Sequence, residues 1–261
     1  MANEIVQITP GTTVERWTIS KKLGEGGFGA VYLVTDPTGK YALKVEGVNE
    51  KMQVLKMEVF VLSELTKRGS RHFCKIEDKD LHNIGYLHRD VKPGNYTIGR
   101  AELNELRKVY ILDFGMCRKF TNEQGTIRKP RQAAGFRGTV RYAPIACHKQ
   151  IDLGRKDDVE TWLYMQVELT AGRLPWKEIQ DMNQVGQFKK NVRLTPEKMF
   201  IPPCPASDLK EIMTMVDAYQ YFDEPNYAAI YAIMRRALAN CGKPEFPYDW
   251  EPGCPLAYMV Q

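Results

Sequence analysis

The chain has 261 residues, 43% hydrophobic and 26% charged, with 20 glycines and 15 prolines. Such usage excludes a collagen, a low-complexity tail and a simple coiled coil, and the length suits one large unit or two lobes. The net charge is +5, yet Arg118 to Arg141 holds seven basic residues (Arg118, Lys119, Arg128, Lys129, Arg131, Arg137 and Arg141) against Glu123 alone. That segment is +6 and the remainder −1, which points to an anionic partner at one place. No apolar run approaches the roughly 18 residues of a membrane helix, and the opening MANEIVQITP lacks an apolar signal segment. Membrane association and secretion are not expected; the cytoplasm is, with the nucleus left open. The six cysteines form no C-x-x-C pair, and neither they nor the four histidines fall at metal-ligand spacing, so reduced, packing thiols are expected.

In chain order, residues 1–14 read as a disordered leader. Three antiparallel strands are expected at RWTISKKL, AVYLVTD and KYALKVEG, the last two joined by a turn at Asp36-Pro37-Thr38-Gly39. From Glu50 to Lys67, Met52, Leu55, Val59, Leu62 and Leu65 recur at steps of three or four, the pattern of an amphipathic helix ending near Gly69. HFCKI reads as a further strand, Leu81 to Leu87 as the end of a helix, and VYILDFG as a short buried strand. Helical patterns follow at 157–170, 207–219 and 227–238. The composition changes near residue 80, between a strand-rich and a helical part.

Residues 24–31, Gly-Glu-Gly-Gly-Phe-Gly-Ala-Val, form a G-x-G-x-x-G-x-V run whose missing side chains let backbone N–H groups approach phosphate oxygens. A strand continues after its third glycine, so a dinucleotide-binding turn, which needs a helix there, loses its context. A plain glycine-rich hairpin remains an alternative at this point. Lys44 is expected to face inward from the apolar strand Tyr41-Ala-Leu-Lys-Val45, where an ammonium needs an anion; Glu58 on the helix is the candidate, and an exposed strand face is the alternative. His88-Arg-Asp-Val-Lys-Pro-Gly-Asn95 is followed by Asp113-Phe-Gly115. Asp90 can take a hydroxyl proton, Lys92 can neutralise a transferring phosphoryl group, and Asn95 with Asp113 can give oxygen ligands to magnesium.

In these motifs the chain resembles the eukaryotic protein kinases. Asp90-x-Lys92 is similar to their serine/threonine form. Gly135-Phe-Arg-Gly-Thr-Val-Arg-Tyr-Ala143, Asp157-Asp158 and Gly172-Arg-Leu-Pro-Trp176 resemble the casein kinase 1 superfamily. Gln53-Val-Leu-Lys-Met-Glu58 is similar to its tau-tubulin-kinase-like branch. The resemblance, from about Trp17 to Trp250, implies an α+β bilobal kinase fold, with a β-rich N-lobe over 15–80 and a mainly helical C-lobe over 81–261. It implies ATP and Mg2+ as cofactors, and transfer of the γ-phosphate to protein hydroxyls. Leu23, Gly24, Gly26, Gly29, Val31 and Ala42 would line the nucleotide, and Lys44, paired with Glu58, would bind its phosphates. Asp90 would be the catalytic base, Lys92 would contact the γ-phosphate, and Asn95 and Asp113 would hold the metal. Asp158 would brace the catalytic loop. Acidic or phosphorylated protein substrates would meet Arg137 and Arg141, guanidinium forks suiting phosphate. Nucleic-acid binding is the rival reading of the basic segment; no aromatic interleaving or reader motif accompanies it.

The pattern is broken twice. The Ala-Pro-Glu that usually ends the activation segment is Ala143-Pro144-Ile145, as in casein kinase 1 relatives. Between the first helix and His88 lie only residues 66–87, where the family places two strands, the adenine-binding hinge and two helices, about 33 residues at mean element lengths. The fifth strand, the hinge and most of both helices are therefore expected to be missing, which leaves weak nucleotide binding, or a pseudokinase-like module for phosphorylated partners, as an alternative to an active enzyme.

Overall fold

A computed structural model of the chain describes residues 7–26, 29–47, 54–67 and 78–254. The strand expected at HFCKI, the start of the first predicted helix and the loop tip at Gly27 and Phe28 lie outside the described residues. The chain divides into two units, Met1–Glu64 and Leu65–Gln261, so the change of unit precedes the composition change near residue 80.

In the first unit β1 (Thr13–Val14), β2 (Trp17–Gly26), β3 (Gly29–Asp36) and β4 (Gly39–Val45) pair in sequence order as one antiparallel sheet. Alternation decides its faces: Ala30, Tyr32 and Val34 of β3 are buried with Ile19, while Leu43 and Val45 pack against them. The stretch read as a leader ends in this sheet, at β1, and its Ile8 packs on the sheet's core, the Ile8 N–H donating to the Tyr32 hydroxyl at 3.0 Å. The β3–β4 turn is as expected, the Asp36 carboxylate accepting from the N–H groups of Thr38 and Gly39 at 2.7 and 3.1 Å.

At Gly29 a Cβ would stand 2.0 Å from the carbonyl oxygen of Val45. Ala at this position must push β3 and β4 apart, so Gly29→Ala is expected to destabilise the first unit by about 1–3 kcal/mol, the usual range for overpacking. Chemical denaturation followed by an intrinsic signal from Trp17 checks this.

The helix α1 (Val54–Lys67) ends the unit. Its buried side is not the predicted one: Val54 and Val61 are buried, whereas Val59 is 63% and Leu62 42% exposed. Glu58 falls one turn from each of the two valines, so the face that is covered is the face that carries the carboxylate.

The second unit runs through α2 (Asp78–Asn83), β5 (Tyr86–Leu87), β6 (Tyr96–Ile98), β7 (Val109–Ile111), β8 (Arg118–Lys119), α3 (Ile145–His148), α4 (Arg155–Ala171), α5 (Met182–Asn191), α6 (Ala206–Ala218) and α7 (Tyr227–Asn240). The predicted helices are α4, α6 and α7; α3 and α5 carried no clear signal, and β7 is half-buried rather than buried. α4 is wrapped by the core: Val159, Leu163 and Val167 are fully buried and cluster with Trp176, Leu209, Ile212 and Ile230. Two small sheets complete the unit, β5 with β8 and β6 with β7. An antiparallel sheet followed by a helical unit is the α+β, kinase-like arrangement expected.

Candidate active site

The two small sheets build the site. β5 leads into the loop 88–95 and β6 leaves it, while β7 leads into Asp113-Phe-Gly115 and β8 leaves that. Pairing of β5 with β8 and of β6 with β7 therefore lays the two loops side by side. Tyr96 is in register with Ile111, and one step beyond that ladder the Leu112 N–H donates to the Asn95 carbonyl at 2.6 Å. Asn95 and Asp113 thus meet at the end of one hairpin.

Asp90 is 6% exposed and fully engaged. Its Oδ2 accepts from Lys92 Nζ at 2.6 Å and its Oδ1 from Thr139 Oγ1 at 2.9 Å, while Lys92 also donates to Thr139 Oγ1 at 3.0 Å. Carboxylate, ammonium and hydroxyl close a triangle. Thr139 stands inside the GFRGTVRY run and was not singled out from it. Gly138 (φ +91°) lets the segment come this close, since a Cβ there would meet the Arg89 carbonyl oxygen at 2.6 Å.

The loop is held from beneath by Asp158, the second residue of the acidic pair that opens α4. Its carboxylate accepts from the N–H groups of His88 at 2.7 Å and Arg89 at 2.8 Å and from His82 Nε2 at 3.0 Å, all buried or partly so. Burial pushes this carboxyl up, but the bond and charge of His82 and the other donors outweigh it and hold it below its ordinary value. Asp158 therefore stays ionised and can support Arg89 in the left-handed region, φ 68°. Arg89 in turn donates through Nε to the Met116 carbonyl at 2.7 Å, tying the loop to Asp113-Phe-Gly115. His88 is buried, and that burial lowers its pKa and keeps it neutral.

The oxygen donors fit magnesium. Asn95 uses Nδ2 on the Asp90 carbonyl at 2.8 Å, so of its amide atoms Oδ1 is the one that could serve a cation. Asp113, itself at φ 63°, offers a half-buried carboxylate whose Oδ1 accepts from Gly115 N–H at 3.3 Å. Among the described residues no group of three histidine, cysteine or acidic side chains could hold a metal by itself. Magnesium does not need one, because it keeps waters and takes substrate phosphates as ligands.

In the first unit, Lys44 and Glu58 meet at 2.8 Å, side chains 32% and 15% exposed. The expectation that Lys44 faces the core is corrected: Leu43 and Val45 do so, and Lys44 lies on the other face. It shares that face with Val31, its register partner, and with Ala42, while Leu23 is 52% exposed on β2. Nothing within 4 Å would obstruct a Cβ at Gly24 or Gly26, so these two leave the backbone bare rather than relieve a clash.

The basic segment is less free than its count implied. Arg118 Nη1 and Arg131 Nη2 both reach Asp152 Oδ1, at 3.0 and 2.9 Å. Arg141 pairs with Glu168 at 3.3 Å, and Glu168 also accepts from the Tyr142 hydroxyl. The side chain of Arg137 is exposed and donates through Nη1 to its neighbour's carbonyl at 3.1 Å, so of the two expected anion-binding arginines Arg141 is paired with a carboxylate and Arg137 faces solvent.

No family model matches the chain. Curated proteins do. It is 32% identical over 286 positions to a probable serine/threonine-protein kinase of Dictyostelium discoideum, covering 90% of this chain and 56% of that protein. It is 32% identical over 290 positions to the serine/threonine-protein kinase spe-6 of Caenorhabditis elegans, covering 90% of this chain and 76% of that protein. A C. elegans protein named for casein kinase I is 26% identical over 95% of this chain and 87% of its own length. The chain belongs to the serine/threonine protein kinases. It spans little more than half of the Dictyostelium relative and about three quarters of spe-6.

Proposed function

We propose that this chain transfers the γ-phosphate of ATP to serine or threonine hydroxyls of proteins. The observation that carries the reading is the triangle of Asp90, Lys92 and Thr139, with Asn95 bonded to the same aspartate's backbone and Asp113 beside it. Asp90 orients the hydroxyl and takes its proton. Lys92, already beside that carboxylate, is placed to balance charge on the transferring group. Asn95 Oδ1 and the Asp113 carboxylate would hold Mg2+, which supplies charge neutralisation on the phosphates when bound. In the first unit Lys44, kept extended by Glu58, and the glycine hairpin are the phosphate-binding elements, with Leu23, Val31 and Ala42 as apolar contacts for the base.

We place the chain in the casein kinase 1 superfamily, near its tau-tubulin-kinase-like branch, on the GFRGTVRY run and the casein kinase I relative. Acidic or phosphorylated segments are the favoured acceptors. With Arg141 held by Glu168, exposed Arg128, Lys129 and Arg137 are the cations that would meet them.

We further propose that an interval of about 50 residues present in relatives is missing between α1 and α2. The alignment to the Dictyostelium kinase runs over 286 positions although 90% of 261 residues is about 235. Val59, apolar and 63% exposed on α1, is consistent with the loss of a covering segment. Without a hinge, adenine lacks backbone partners, and ATP binds through its phosphates and metal. A transcript encoding the full interval would support an excision; a genome without it would remove that reading.

The test is transfer of labelled γ-phosphate to an acidic protein, run beside a thermal shift with ATP and Mg2+. We expect a magnesium-dependent product and a melting point that rises with Mg-ATP concentration, since a ligand that prefers the native state must stabilise it. Absence of both in a folded sample would overturn the assignment.

A further inference from the structure

The segment 139–144, which leads into α3, runs beside the catalytic aspartate without regular secondary structure, yet its backbone is tied down at several points. Trp176 Nε1 donates to the Arg141 carbonyl at 2.8 Å, and Glu160 Oε1 accepts from the Ile145 N–H at 3.1 Å. Two further carbonyls of the segment accept from one side chain. Lys189, on α5 and 0% exposed, donates through Nζ to the carbonyl oxygens of Val140 at 2.8 Å and Ala143 at 2.7 Å. His148 Nε2 lies 3.1 Å away. An ammonium has three N–H donors and here finds three acceptors, provided His148 is neutral with its lone pair on Nε2. The aromatic faces of Tyr164 and Trp176, 5.0 and 5.3 Å from Nζ, complete the enclosure.

We propose that Lys189 is a positioning residue for the acceptor protein: its ammonium sets the conformation of residues 140–143, over which a peptide must lie to bring a hydroxyl to Asp90. The proposal rests on the kinase reading above. A buried ammonium is costly, and hydrophobic replacement of such a group is often neutral or stabilising, so its presence here calls for a reason other than stability. Location supplies one. Thr139, which bonds Asp90, is adjacent to Val140, so a shift of the Val140 carbonyl moves the hydroxyl that lines the entry to the base. The segment also lacks the closing glutamate that most kinases place at residue 145, and Ile145 is held instead through its backbone by Glu160, which pairs with Arg193 at 3.0 Å.

The charged state of Lys189 is conditional. Burial pulls its pKa down to about 7, against the raising influence of Glu160 on α4 and Cys147 on α3, with Arg193 at the end of α5 acting in the same direction as burial. Burial and the charge of Lys189 lower His148 to about 4, so above that pH the histidine is neutral while the lysine, up to about pH 7, is charged.

Lys189→Met keeps the volume and removes the donors. Hydrogen bonds to charged groups are stronger than those between neutral ones. Losing those of Lys189 from the bound arrangement should raise the KM for an acidic acceptor peptide about tenfold or more, a factor of ten being about 1.4 kcal/mol. The KM for ATP should stay within about twofold, because no nucleotide-binding group is touched. In the parent the peptide KM should rise as pH passes from about 6.5 to 8 and the ammonium loses its proton, a dependence the Met variant should lack. Amide hydrogen exchange should accelerate at residues 139–146 and not in α4, α6 or α7. Lys189→Gln, which retains two N–H donors, should fall between the two and serves as the test protein if the Met variant does not fold. Unchanged peptide KM with unchanged exchange would overturn the proposal, as would acceleration spread evenly through the unit, the mark of a merely structural residue. If the parent transfers no phosphate, it is the kinase reading that fails, and the exchange comparison alone decides the role of Lys189.

Discussion

Asp90→Asn is expected to lower phosphate transfer by about 10²- to 10⁴-fold, the usual contribution of a positioned general base, while leaving the Mg-ATP thermal shift intact. Asparagine matches the volume of a side chain that is 6% exposed and can still accept from Thr139 through its amide oxygen. What it lacks is the negative charge and the basic lone pair. Lys92 loses the carboxylate 2.6 Å away and becomes free to bind phosphate, so nucleotide affinity should hold or rise. The proposed metal ligands are spared, because Asn95 bonds the backbone carbonyl of residue 90 and not its side chain. Asp113→Asn should behave oppositely, losing both transfer and the magnesium dependence of the shift. Steady-state turnover of the three proteins on one acidic substrate checks the pair. Equal turnover in all three would show that the signal does not come from this site.

Asp158→Ala is expected to have the largest effect on stability. It deletes one carboxylate and orphans three donors at once: the His88 and Arg89 N–H groups and His82 Nε2, with Asp158 itself 2% exposed. Breaking a buried charged pair by removing one partner costs about 3–5 kcal/mol. For a unit of this size that is a fall in melting point on the order of 10 °C. Arg89 at φ 68° loses its support, so turnover should fall even at temperatures where the variant remains folded. The effect of pH follows from the sign of the shift. Because the folded Asp158 carboxyl sits below its ordinary value of 3.8, its stabilising contribution is present above that value and is lost as pH falls through the folded one. Asp157 next to it works the other way: burial, with the charge of Glu160, raises it to about 6 despite Lys156. The folded state therefore binds more protons than the unfolded one between pH 3.8 and about 6, and this residue makes the protein less stable as pH rises across that window. Calorimetric scans from pH 3 to 7 should show the parent losing stability below pH 4, and the Asp158→Ala variant should lose less of its remaining stability there.

The candidate residues of the loop 88–95 were legible because they are local. Asp90, Lys92 and Asn95 lie within six residues, and Asp113-Phe-Gly115 follows them, so order and spacing nominate them before any fold is known. Lys44 and Glu58 were matched correctly although the reason offered, an inward-facing lysine, was not the one found; β3 and β4 bury Tyr32 and Leu43 instead. The stripe of α1 was misread because a periodic pattern names an apolar face without saying whether anything covers it. Val54 and Val61, with Glu58 between them, are covered, and Val59 and Leu62 are exposed. The charge of the basic segment was counted correctly and interpreted too freely, since its counterions, Asp152 and Glu168, arrive from 11 and 27 residues beyond Arg141.

By itself the amino-acid order determined which side chains could move a phosphoryl group and which elements would carry them, since short motifs and alternation act over a few residues. Only the tertiary structure decided which groups are spent on one another and which remain for a substrate. Glu168 neutralises Arg141, Thr139 closes on Asp90, and Lys189 is enclosed beneath residues 140–143, all through contacts 26 to 49 positions apart. A buried charge is defined by the acceptors packed round it, and these converge only once α4 and α5 have folded against the segment that serves the site.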